Sequence, residues 1–285
     1  WELKLGIKHD EFELPWDQPV PEHLWSRVAD YCGNDVDATE EVFKATMHDY
    51  TARLILSKLS GLNVNATTTQ HSAAFLFGNE SRPQDKFIYT DLGERFPGYK
   101  YSFGKSEYRG EDPGEGGYVY SEPGVYPDVA LLDVASMHPT SLIEMNYFGP
   151  FTQKFADLKQ TRIYIKHGEY DKAKKMFGGI LEEFLQDPES ADMLSYALKI
   201  IINIVYGMTS AKFDNKFRHK LNQDNIVAKR GALFMINLKH EVQKRGYTVA
   251  HIKTDSIKIP NADKKIIDFV FAYGKEYGYD FEHEA

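Results

Sequence analysis

The sequence contains very few of the residues that form disulfides or cysteine-based metal sites. Cys32 is the only cysteine among 285 residues, which excludes an internal disulfide and a cysteine-based metal site and fits a reducing cytoplasm. The ten histidines show no spacing typical of paired metal ligands. A lone sequon at Asn65 therefore has no glycosylation context and is interpreted as chance.

Long apolar runs are also missing. No run in the sequence approaches transmembrane length, and no signal peptide opens the chain, so we expect a cytoplasmic protein without a membrane partner. The length allows one large or two modest domains, and an aromatic content of 14% supports a packed core.

The net charge of -8 argues against a simple nucleic-acid binder, but the charge is unevenly distributed. Residues 1–60 hold 12 acids and 6 bases, whereas residues 199–253 hold 11 bases and 3 acids. A basic segment of this kind suits a channel that holds a nucleic-acid duplex. The alternative is a solvated helix face, which would leave these bases in water: Lys229, Arg230, Lys239, Lys244 and Arg245.

Two acids lie where a metal site would need them. The apolar run Val129–Leu132 predicts a buried strand, which ends at Asp133 before a helical segment. Residues 247–252 and 256–259 predict a hairpin whose turn carries Asp255. Two carboxylates on separate elements suit a two-metal phosphoryl-transfer site. The alternative for Asp133 is a residue that merely caps the next helix, and the sequence does not show whether the two acids meet.

A predicted helix from Ala191 to Ser210 carries a second chemical signal. Lys199, Asn203 and Tyr206 follow at i, i+4 and i+7 and therefore share one face of this helix. An ammonium suits phosphates, and an aromatic ring suits a base or sugar. Gly207 would leave room for a base pair. A polar face that is simply solvated is the alternative.

These residues resemble the motifs of family B DNA polymerases, and the chain is most similar to the bacteriophage-type members of that family. Asp133-Val-Ala-Ser-Met-His138-Pro is similar to the first palm motif, Asp-x-x-Ser-Leu-Tyr-Pro. The segment from Lys199 to Gly207 resembles the fingers motif, Lys-x-x-x-Asn-Ser-x-Tyr-Gly, and Lys253-Thr-Asp255-Ser resembles the second palm motif, Asp-Thr-Asp-Ser. The three motifs occur in the family's order, and the match covers essentially the whole chain.

The resemblance implies an α+β fold: a palm with an antiparallel sheet backed by helices, helical fingers, and a remnant of a ribonuclease H-like exonuclease domain. The expected domains are 1–57 (exonuclease remnant), 58–150 (linker and palm), 151–215 (fingers) and 216–285 (palm). We expect the polar and Gly/Pro-rich stretches between Ser60 and Pro113, including 61–70 and 78–84, to be loops. Residues 108–117 are expected to form another, exposed loop. A final helix over 262–278 leaves nothing for a thumb, and the chain is expected to be truncated at both ends.

The resemblance also implies the ligands and partners. Asp133 and Asp255, with the Val134 carbonyl, would hold two Mg²⁺ ions, for which Mn²⁺ could substitute. The expected partners are dNTP, primer-template DNA and phage replication proteins in the host cytoplasm. Eight further residues are expected to bind the nucleotide or DNA beside Lys199, Asn203, Tyr206 and Gly207: Arg162, Lys166, His138, Gly116, Gly117, Lys212, Lys253 and Thr254. For Arg162 and Lys166, which lie one helical turn apart, the alternative is an ordinary helix surface.

Three departures from the motifs bear on function. His138 stands where the family usually has the tyrosine that closes against a ribose 2′-hydroxyl, so discrimination between sugars is open. Ile204 replaces a serine, which is a mild packing change. Lys253 replaces the first of two paired acids of the second palm motif. Its ammonium would reduce the negative charge of the metal site or bind a phosphate of the primer.

The amino-terminal part has its own clue. Tyr31 and Asp35 lie at i, i+4 on a helix predicted from about Glu22 to Leu56. This spacing resembles the third motif of the proofreading 3′–5′ exonuclease, Tyr-x-x-x-Asp. No convincing acids precede it in residues 1–30, so the chain should not proofread. A surface helix in a domain remnant is the alternative.

Two further interpretations compete with a polymerase. A non-catalytic remnant or subunit would bind primer-template DNA and incorporate nothing, as the missing thumb and Lys253 suggest. A stand-alone nuclease is the weakest interpretation, because only one of its acids is visible.

Overall fold

The computed structural model describes residues 2–8, 11, 12, 14, 15 and 17–284. Trp1 and Ala285, the outer bounds of the first and last expected domains, lie outside the described residues. The chain forms two compact units, Trp1–Ile55 and Leu56–Ala285. The finer division of the second unit into palm and fingers stays a prediction.

The first unit is helical where it is described. It contains α1 (Glu2–Leu5), a 3₁₀ turn (Glu22–Leu24), α2 (Trp25–Ala45) and the start of α3 (Met47–Ser60). The single helix predicted from Glu22 to Leu56 is therefore wrong, because α2 ends before Thr46. The Thr46 hydroxyl donates to the carbonyl of Val42 at 2.8 Å, a local bond by which a threonine competes with the helical backbone.

The second unit is built on a five-stranded antiparallel sheet. Its strand order is β3-β5-β6-β4-β7, and a separate two-stranded hairpin is formed by β1 and β2. With the helices around it, this sheet confirms the predicted α+β class. The strands are β1 (Lys100–Ser102), β2 (Lys105–Glu107), β3 (Val119–Ser121), β4 (Val129–Val134), β5 (His251–Lys253), β6 (Ser256–Pro260) and β7 (Phe281–His283).

Eight α-helices follow α3 in the described residues. They are α4 (Thr68–Phe77), α5 (Leu92–Arg95), α6 (Met137–Glu144), α7 (Thr152–Lys166), α8 (Tyr170–Lys174), α9 (Pro188–Ser210), α10 (Ile226–Lys244) and α11 (Lys264–Glu276), with 3₁₀ turns at Pro83–Lys86, Gly149–Phe151, Met176–Gly179 and Glu182–Phe184. Helix α10 packs against α6 and α11, and α9 packs against α4 and α7. The helix predicted over 262–278 is confirmed as α11, which Asp263 caps through the Ile266 N–H at 3.0 Å.

The region expected to be loops between Ser60 and Pro113 is more ordered than predicted. Thr67 and Gln70 form a reciprocal capping box that starts α4. A two-residue turn at Phe103 and Gly104, both with positive φ, joins β1 to β2, as the twist of a hairpin requires. The loop prediction is therefore wrong at 68–70, which begin α4, and the hairpin is an element that the sequence did not predict.

Helix α9 is long and apolar enough to cross a membrane by length and composition, and it is the only such helix among the described residues. The buried core helix of a globular domain can have the same length and composition, so these two properties do not identify α9 as a membrane span. Asp187 caps α9 through the Ser190 N–H at 2.9 Å. The predicted stripe along α9 is buried: Leu194, Ala197, Leu198, Ile201, Ile202 and Val205.

Candidate active site

The two predicted catalytic acids meet at one end of the sheet. Asp133, near the end of β4, lies opposite Ser256 of β6, and Asp255 precedes Ser256 in the two-residue turn between β5 and β6. The Val134 N–H donates to the Asp255 carbonyl oxygen at 3.0 Å. Thr254 has a φ of 57°, which makes the tight turn possible. Strand pairing therefore brings together two carboxylates that are 122 residues apart in the sequence.

Both carboxyl groups resist ionisation. Burial raises the pKa of Asp133 to about 6, helped by the charges of Asp255, Glu284 and Glu282. Burial also raises the pKa of Asp255, and Glu284 adds to this effect. No cationic side chain among the described residues contributes to either pKa. An external cation would relieve this repulsion and favour the ionised forms.

Sequence reasoning missed two acids beside this pair. Glu282, in β7, lies directly opposite Asp133, and the Glu284 N–H donates to the Leu131 carbonyl at 3.0 Å. Both side chains are exposed. The alternation of Phe281, Glu282 and His283 could have indicated a strand, but no local signal says that this strand pairs with β4.

The donor set at the carboxylate pair fits Mg²⁺. Mg²⁺ commonly takes one or two protein carboxylates and completes its octahedron with water and substrate phosphates. The described residues contain no group of three or more His, Cys, Asp or Glu side chains arranged to hold a metal. The half-buried carboxylates of Asp133 and Asp255 are hard oxygen ligands of the kind that Mg²⁺ prefers.

Two packed helices, α7 and α9, carry the residues predicted to bind nucleotide. On α9, Lys199 and Asn203 are exposed and Tyr206 is half-buried. On α7, Lys166 is exposed and Arg162 is half-buried. Burial lowers the pKa of the Arg162 guanidinium, and its Nε has no hydrogen-bond partner in the described part of the chain. A buried, unsatisfied donor of this kind favours an anionic ligand.

His138 and Tyr206 form a direct stack. Their ring centroids lie 4.1 Å apart with an interplanar angle of 5°. Burial lowers the pKa of His138 to about 4, so the imidazole is neutral at pH 7. Burial raises the pKa of Tyr206, and a hydrogen bond with Asn225 opposes that shift. The stack joins α6, which follows Asp133, to the face of α9 that carries Lys199.

Four of the residues predicted to contact DNA lie around the turn that carries Asp255. The Thr254 N–H donates to the Tyr118 carbonyl at 2.9 Å. A Cβ at Gly117 would lie 2.8 Å from the Thr254 methyl carbon, so the residue must be glycine for this close approach. Gly116 precedes Gly117, and Lys253 is exposed before the turn. Gly207 is also exposed, on α9, and Lys212 lines a cavity together with Gly116.

Three basic residues on α10 contradict both sequence interpretations of this helix. Lys229, Arg230 and Lys239 are neither solvated nor free to hold a duplex, because all three are buried. Lys229 donates to the Gly114 carbonyl, Arg230 to the Tyr277 carbonyl, and Lys239 to Glu111. Their role is structural. Lys244 and Arg245 are exposed, as a solvated face predicts.

The loop at 108–117 provides hydrogen-bond partners for the buried side chains of α10, and part of it is itself buried. Tyr108 is buried and its hydroxyl donates to Asn237 Oδ1 at 2.8 Å. Glu111 accepts hydrogen bonds from Lys239 and Tyr118. The prediction of an exposed loop is therefore wrong for its anchoring residues, which hold α10 in place.

In the first unit, Tyr31 and Asp35 share a face of α2, as their spacing predicts. The negative charge of Asp35 is the main cause that raises the pKa of the Tyr31 phenol, with smaller contributions from burial and from their hydrogen bond. The phenol is thus engaged by the carboxylate itself. An exonuclease role for this pair stays a prediction.

Comparison with known proteins finds matches among solved structures. No protein-family model matches the chain, and no curated protein matches it. In solved structures, 117 chains do match. Among them is a family B DNA polymerase from the hyperthermophilic archaeon Pyrobaculum calidifontis, at 16% identity and a TM-score of 0.46. The match covers 93% of this chain and 35% of the polymerase, so the chain spans about a third of that protein. A TM-score of 0.46 is too low for a function to be inferred from this likeness. The function is therefore inferred from the residues of the candidate site.

Proposed function

We propose that the chain is part of a family B DNA polymerase that adds deoxynucleotides to a primer 3′-hydroxyl by two-metal-ion phosphoryl transfer. The observation that carries this proposal is the meeting of Asp133 and Asp255 across β4 and the β5–β6 turn. Motifs that are separate in the sequence supply these acids in the order that the family resemblance requires. A role in phage DNA replication in the host cytoplasm is part of the same proposal.

The carboxylates of Asp133 and Asp255 would hold two Mg²⁺ ions, with Mn²⁺ as a substitute and the Val134 carbonyl as a further ligand. When bound, such ions activate the attacking hydroxyl and stabilise the leaving oxygen. The raised pKa of Asp133 supports this role, because a cation offsets the repulsion that the protein leaves unrelieved.

The residues on α7 and α9 would position the nucleotide. Arg162, Lys166 and Lys199 would neutralise the triphosphate, and the unpaired Arg162 Nε supports a phosphate partner. Asn203 would support this pocket between Lys199 and Tyr206. The ring of Tyr206 would be held by its stack on His138, so the two rings would shape the site of the base and sugar as one unit.

The surroundings of the Asp255 turn would hold primer-template DNA. Gly116 has open space beside its backbone, Gly117 packs closely against Thr254, and Lys253 is exposed next to the turn. Gly207 would leave room for the nascent base pair, and Lys212 would meet a template phosphate. Phosphate contacts of this kind position a duplex without reading its sequence.

Single-nucleotide primer extension with Mg²⁺ tests the proposal, with dNTP and rNTP compared on the chain and on Asp255→Ala. We expect extension by the unaltered chain and none by the variant. Asp268→Ala removes an exposed carboxylate from α11 and is the matched control that should extend normally. The rNTP reaction, repeated on His138→Tyr, measures whether the smaller imidazole admits a 2′-hydroxyl.

A second candidate is a non-catalytic subunit that binds primer-template DNA. The exposed Lys253, which stands where the resemblance places an acid, favours it. Tight, salt-dependent binding with no extension by the unaltered chain would support this candidate and overturn catalysis.

A further inference from the structure

A pocket that the proposed function does not use lies at one edge of the five-stranded sheet. It has a volume of about 440 Å³ and lies among the edge strand β3, the loop that follows β3, the C-terminal end of α10 and the segment before β5. We name it the edge pocket. Three tyrosines, one acid and one amide supply most of its lining: Tyr120, Tyr126, Tyr247, Glu122 and Gln243.

The edge pocket lies on the side of the sheet away from the carboxylate pair. The residue before Tyr120 begins a row of paired residues across the sheet: Val119, Lys253, Ser256 and Asp133. Successive side chains of a strand point to opposite faces of the sheet. The Tyr120 side chain therefore lies on the face opposite to Asp133, and the edge pocket is separate from the candidate active site.

Local contacts hold two of the three rings in place. The Tyr120 hydroxyl donates to Glu122 Oε2 at 2.7 Å, and the Gln243 side chain is hydrogen-bonded to the same phenol. The Tyr126 ring lies against Gly124, where a Cβ atom would come within 2.9 Å of the ring, an approach that only glycine permits. Walls that are ordered before a ligand arrives lower the entropy cost of binding.

Charge in the edge pocket favours a cation. Among the described residues, Glu122 is the one charged side chain that lines the pocket. A second acid, Asp263, accepts a hydrogen bond from the Tyr247 hydroxyl at 2.9 Å. The pocket also lies at the C-terminal end of α10, where the helix dipole adds negative potential.

The bases nearest to Gln243 act on another acid. Arg245 donates to Glu241 Oε2 at 2.6 Å. This hydrogen bond lowers the pKa of Glu241, and the charges of Lys244 and Arg109 add to the effect. Because Glu241 does not line the edge pocket, these bases leave the Glu122 carboxylate as the charge that an incoming group meets.

One ring of the edge pocket already contacts a cation of the protein. The Lys239 ammonium lies 4.2 Å from the centroid of the Tyr120 ring, and its charge is neutralised by Glu111. The chain also places a guanidinium on a ring, because Arg245 lies 3.6 Å from the centroid of Phe269. Cations are attracted to the negative face of an aromatic ring, and the same attraction acts on a cation that enters the pocket from solvent.

A guanidinium group fits the edge pocket better than other cations do. Mg²⁺ and Ca²⁺ take about six or more oxygen ligands, which one carboxylate among aromatic rings does not supply. An ammonium is a strongly hydrated point charge, whereas a guanidinium is planar, weakly hydrated and able to stack on a ring while its edge donates to a carboxylate. The rings and Glu122 offer both kinds of contact.

We propose that the edge pocket binds an arginine side chain of a partner protein. The guanidinium stacks on the tyrosine rings and donates to the Glu122 carboxylate, and the Gln243 amide oxygen accepts a further hydrogen bond. This inference does not depend on the proposed polymerase function, because the edge pocket and the carboxylate pair lie on opposite faces of the sheet.

Titration with N-acetyl-arginine amide tests the edge pocket. NMR spectra of the isotope-labelled chain would follow the Val249 methyl groups, which line the pocket, and the Gln243 side-chain amide. We expect saturable shifts with a dissociation constant of about 1 to 10 mM, since one side chain makes few contacts. N-acetyl-citrulline amide has nearly the same shape without the charge and should bind about tenfold more weakly.

Two variants and two matched controls assign the binding to these side chains. Glu122→Gln should weaken binding of the arginine derivative about tenfold, because a charge-assisted hydrogen bond is lost. Tyr126→Leu should weaken it about three- to fivefold, which is typical of one lost cation–ring contact. Glu107→Gln, at an exposed acid on β2, and Tyr50→Leu, at an exposed tyrosine of the first unit, should change nothing. Thermal melting checks that each variant is folded.

Three results would overturn the proposal. The first is the absence of saturable shifts up to about 50 mM of the arginine derivative, well above the expected dissociation constant. The second is equal binding of the arginine and citrulline derivatives, or unchanged binding by Glu122→Gln. The third is tighter binding of N-acetyl-lysine amide or tetramethylammonium, which would make the pocket a site for ammonium groups.

Primer extension by Glu122→Gln keeps this proposal distinct from the proposed function. We expect the variant to extend a primer at the rate of the unaltered chain, and a lower rate would contradict the independence of the two faces. If the unaltered chain extends nothing, catalysis is overturned, and the NMR titration still decides whether the edge pocket binds arginine.

Discussion

The unit Leu56–Ala285 contains two groups of buried or half-buried charges, one at Lys239 and Glu111 and one at Asp133 and Asp255. Only the first group contains charges of opposite sign that neutralise each other. The Lys239 ammonium is hydrogen-bonded to Glu111 and to the Tyr118 hydroxyl, the latter at 2.6 Å. Burial would raise the pKa of Glu111, but hydrogen bonds from Lys239, Tyr118 and His240 outweigh it and lower that pKa. By contrast, the pKa values of Asp133 and Asp255 are both raised.

The difference separates structural charge from functional charge. The buried Lys239 and the half-buried Glu111 neutralise each other and are further hydrogen-bonded through Tyr118, and this pair holds the loop at Glu111 against α10. Carboxylates that repel each other reduce the stability of the metal-free fold, and they are available to a cation from outside. Perturbed groups of this second kind mark functional sites.

The largest expected effect is on catalysis. Asp133→Asn should lower primer extension at least a thousandfold, about 4 kcal/mol of transition-state stabilisation, without lowering the melting temperature. Steady-state extension and thermal melting measure the two effects, with Asp268→Asn as the matched exposed control. Activity within tenfold of the unaltered chain would show that Asp133 is not a metal ligand.

Removing one partner of the Lys239–Glu111 ion pair should lower the stability of the fold. Lys239→Met leaves the half-buried Glu111 without its ammonium partner and should lower the free energy of unfolding by about 3 kcal/mol. Denaturant titration measures the loss. Lys244→Met, at an exposed position on the same helix, should change stability by less than about 0.5 kcal/mol.

A double variant sharpens this result. Adding Glu111→Gln to Lys239→Met removes the uncompensated charge and should restore part of the lost stability. If the double variant is less stable than Lys239→Met alone, the ion pair is not what holds this cluster together.

The carboxylates of Asp133 and Asp255, which no cation among the described residues neutralises, should make the stability of the fold depend on pH, with a smaller effect than the loss of the Lys239 ammonium. Because the folded-state pKa of Asp133, about 6, lies above its unfolded value, folding favours the protonated form, and stability falls as pH rises from about 4 to about 6. Without metal at pH 7.5, Asp133→Asn should therefore be more stable than the unaltered chain by about 1 kcal/mol, after allowance for solvent screening.

Denaturant titrations across this pH range check the prediction. The stability difference between the two proteins should shrink below pH 6 and vanish near pH 4, where the native carboxyl is also neutral. A difference that stays constant with pH would mean that packing, and not charge, separates them.

The smallest expected effect concerns Lys253. Lys253→Asp removes a cation and adds an acid beside the carboxylate pair, at an exposed position where charge effects are worth about 0.3 to 1 kcal/mol. Apparent Mg²⁺ affinity, followed by thermal melting, should rise about two- to fivefold. Lys275→Asp on α11 is the control for net charge, and an equal rise there would rule out a local effect.

The candidate site could be predicted from the sequence wherever its signal was local. The apolar run before Asp133, the turn at Asp255 and the helical spacing of Lys199, Asn203 and Tyr206 each depend on neighbours within one strand or a few turns of helix. The strand before Asp133, the turn and the helix appear in the structure close to their predicted bounds, but the strand predicted over 247–252 forms only at His251–Lys253. Their chemistry follows from residue type, which the sequence states outright.

Other features depended on contacts that local patterns do not encode. The pairing of β7 with β4 brings Glu282 and Glu284 to the carboxylates. The loop from Tyr108 to Tyr118 provides the partners of Lys229 and Lys239 on α10. Exposure, charge pairing and pKa are properties of what lies across space from a residue. The sequence by itself therefore determined which groups could act and which short elements carry them, whereas the tertiary structure decided which charges are satisfied and which remain to bind a ligand.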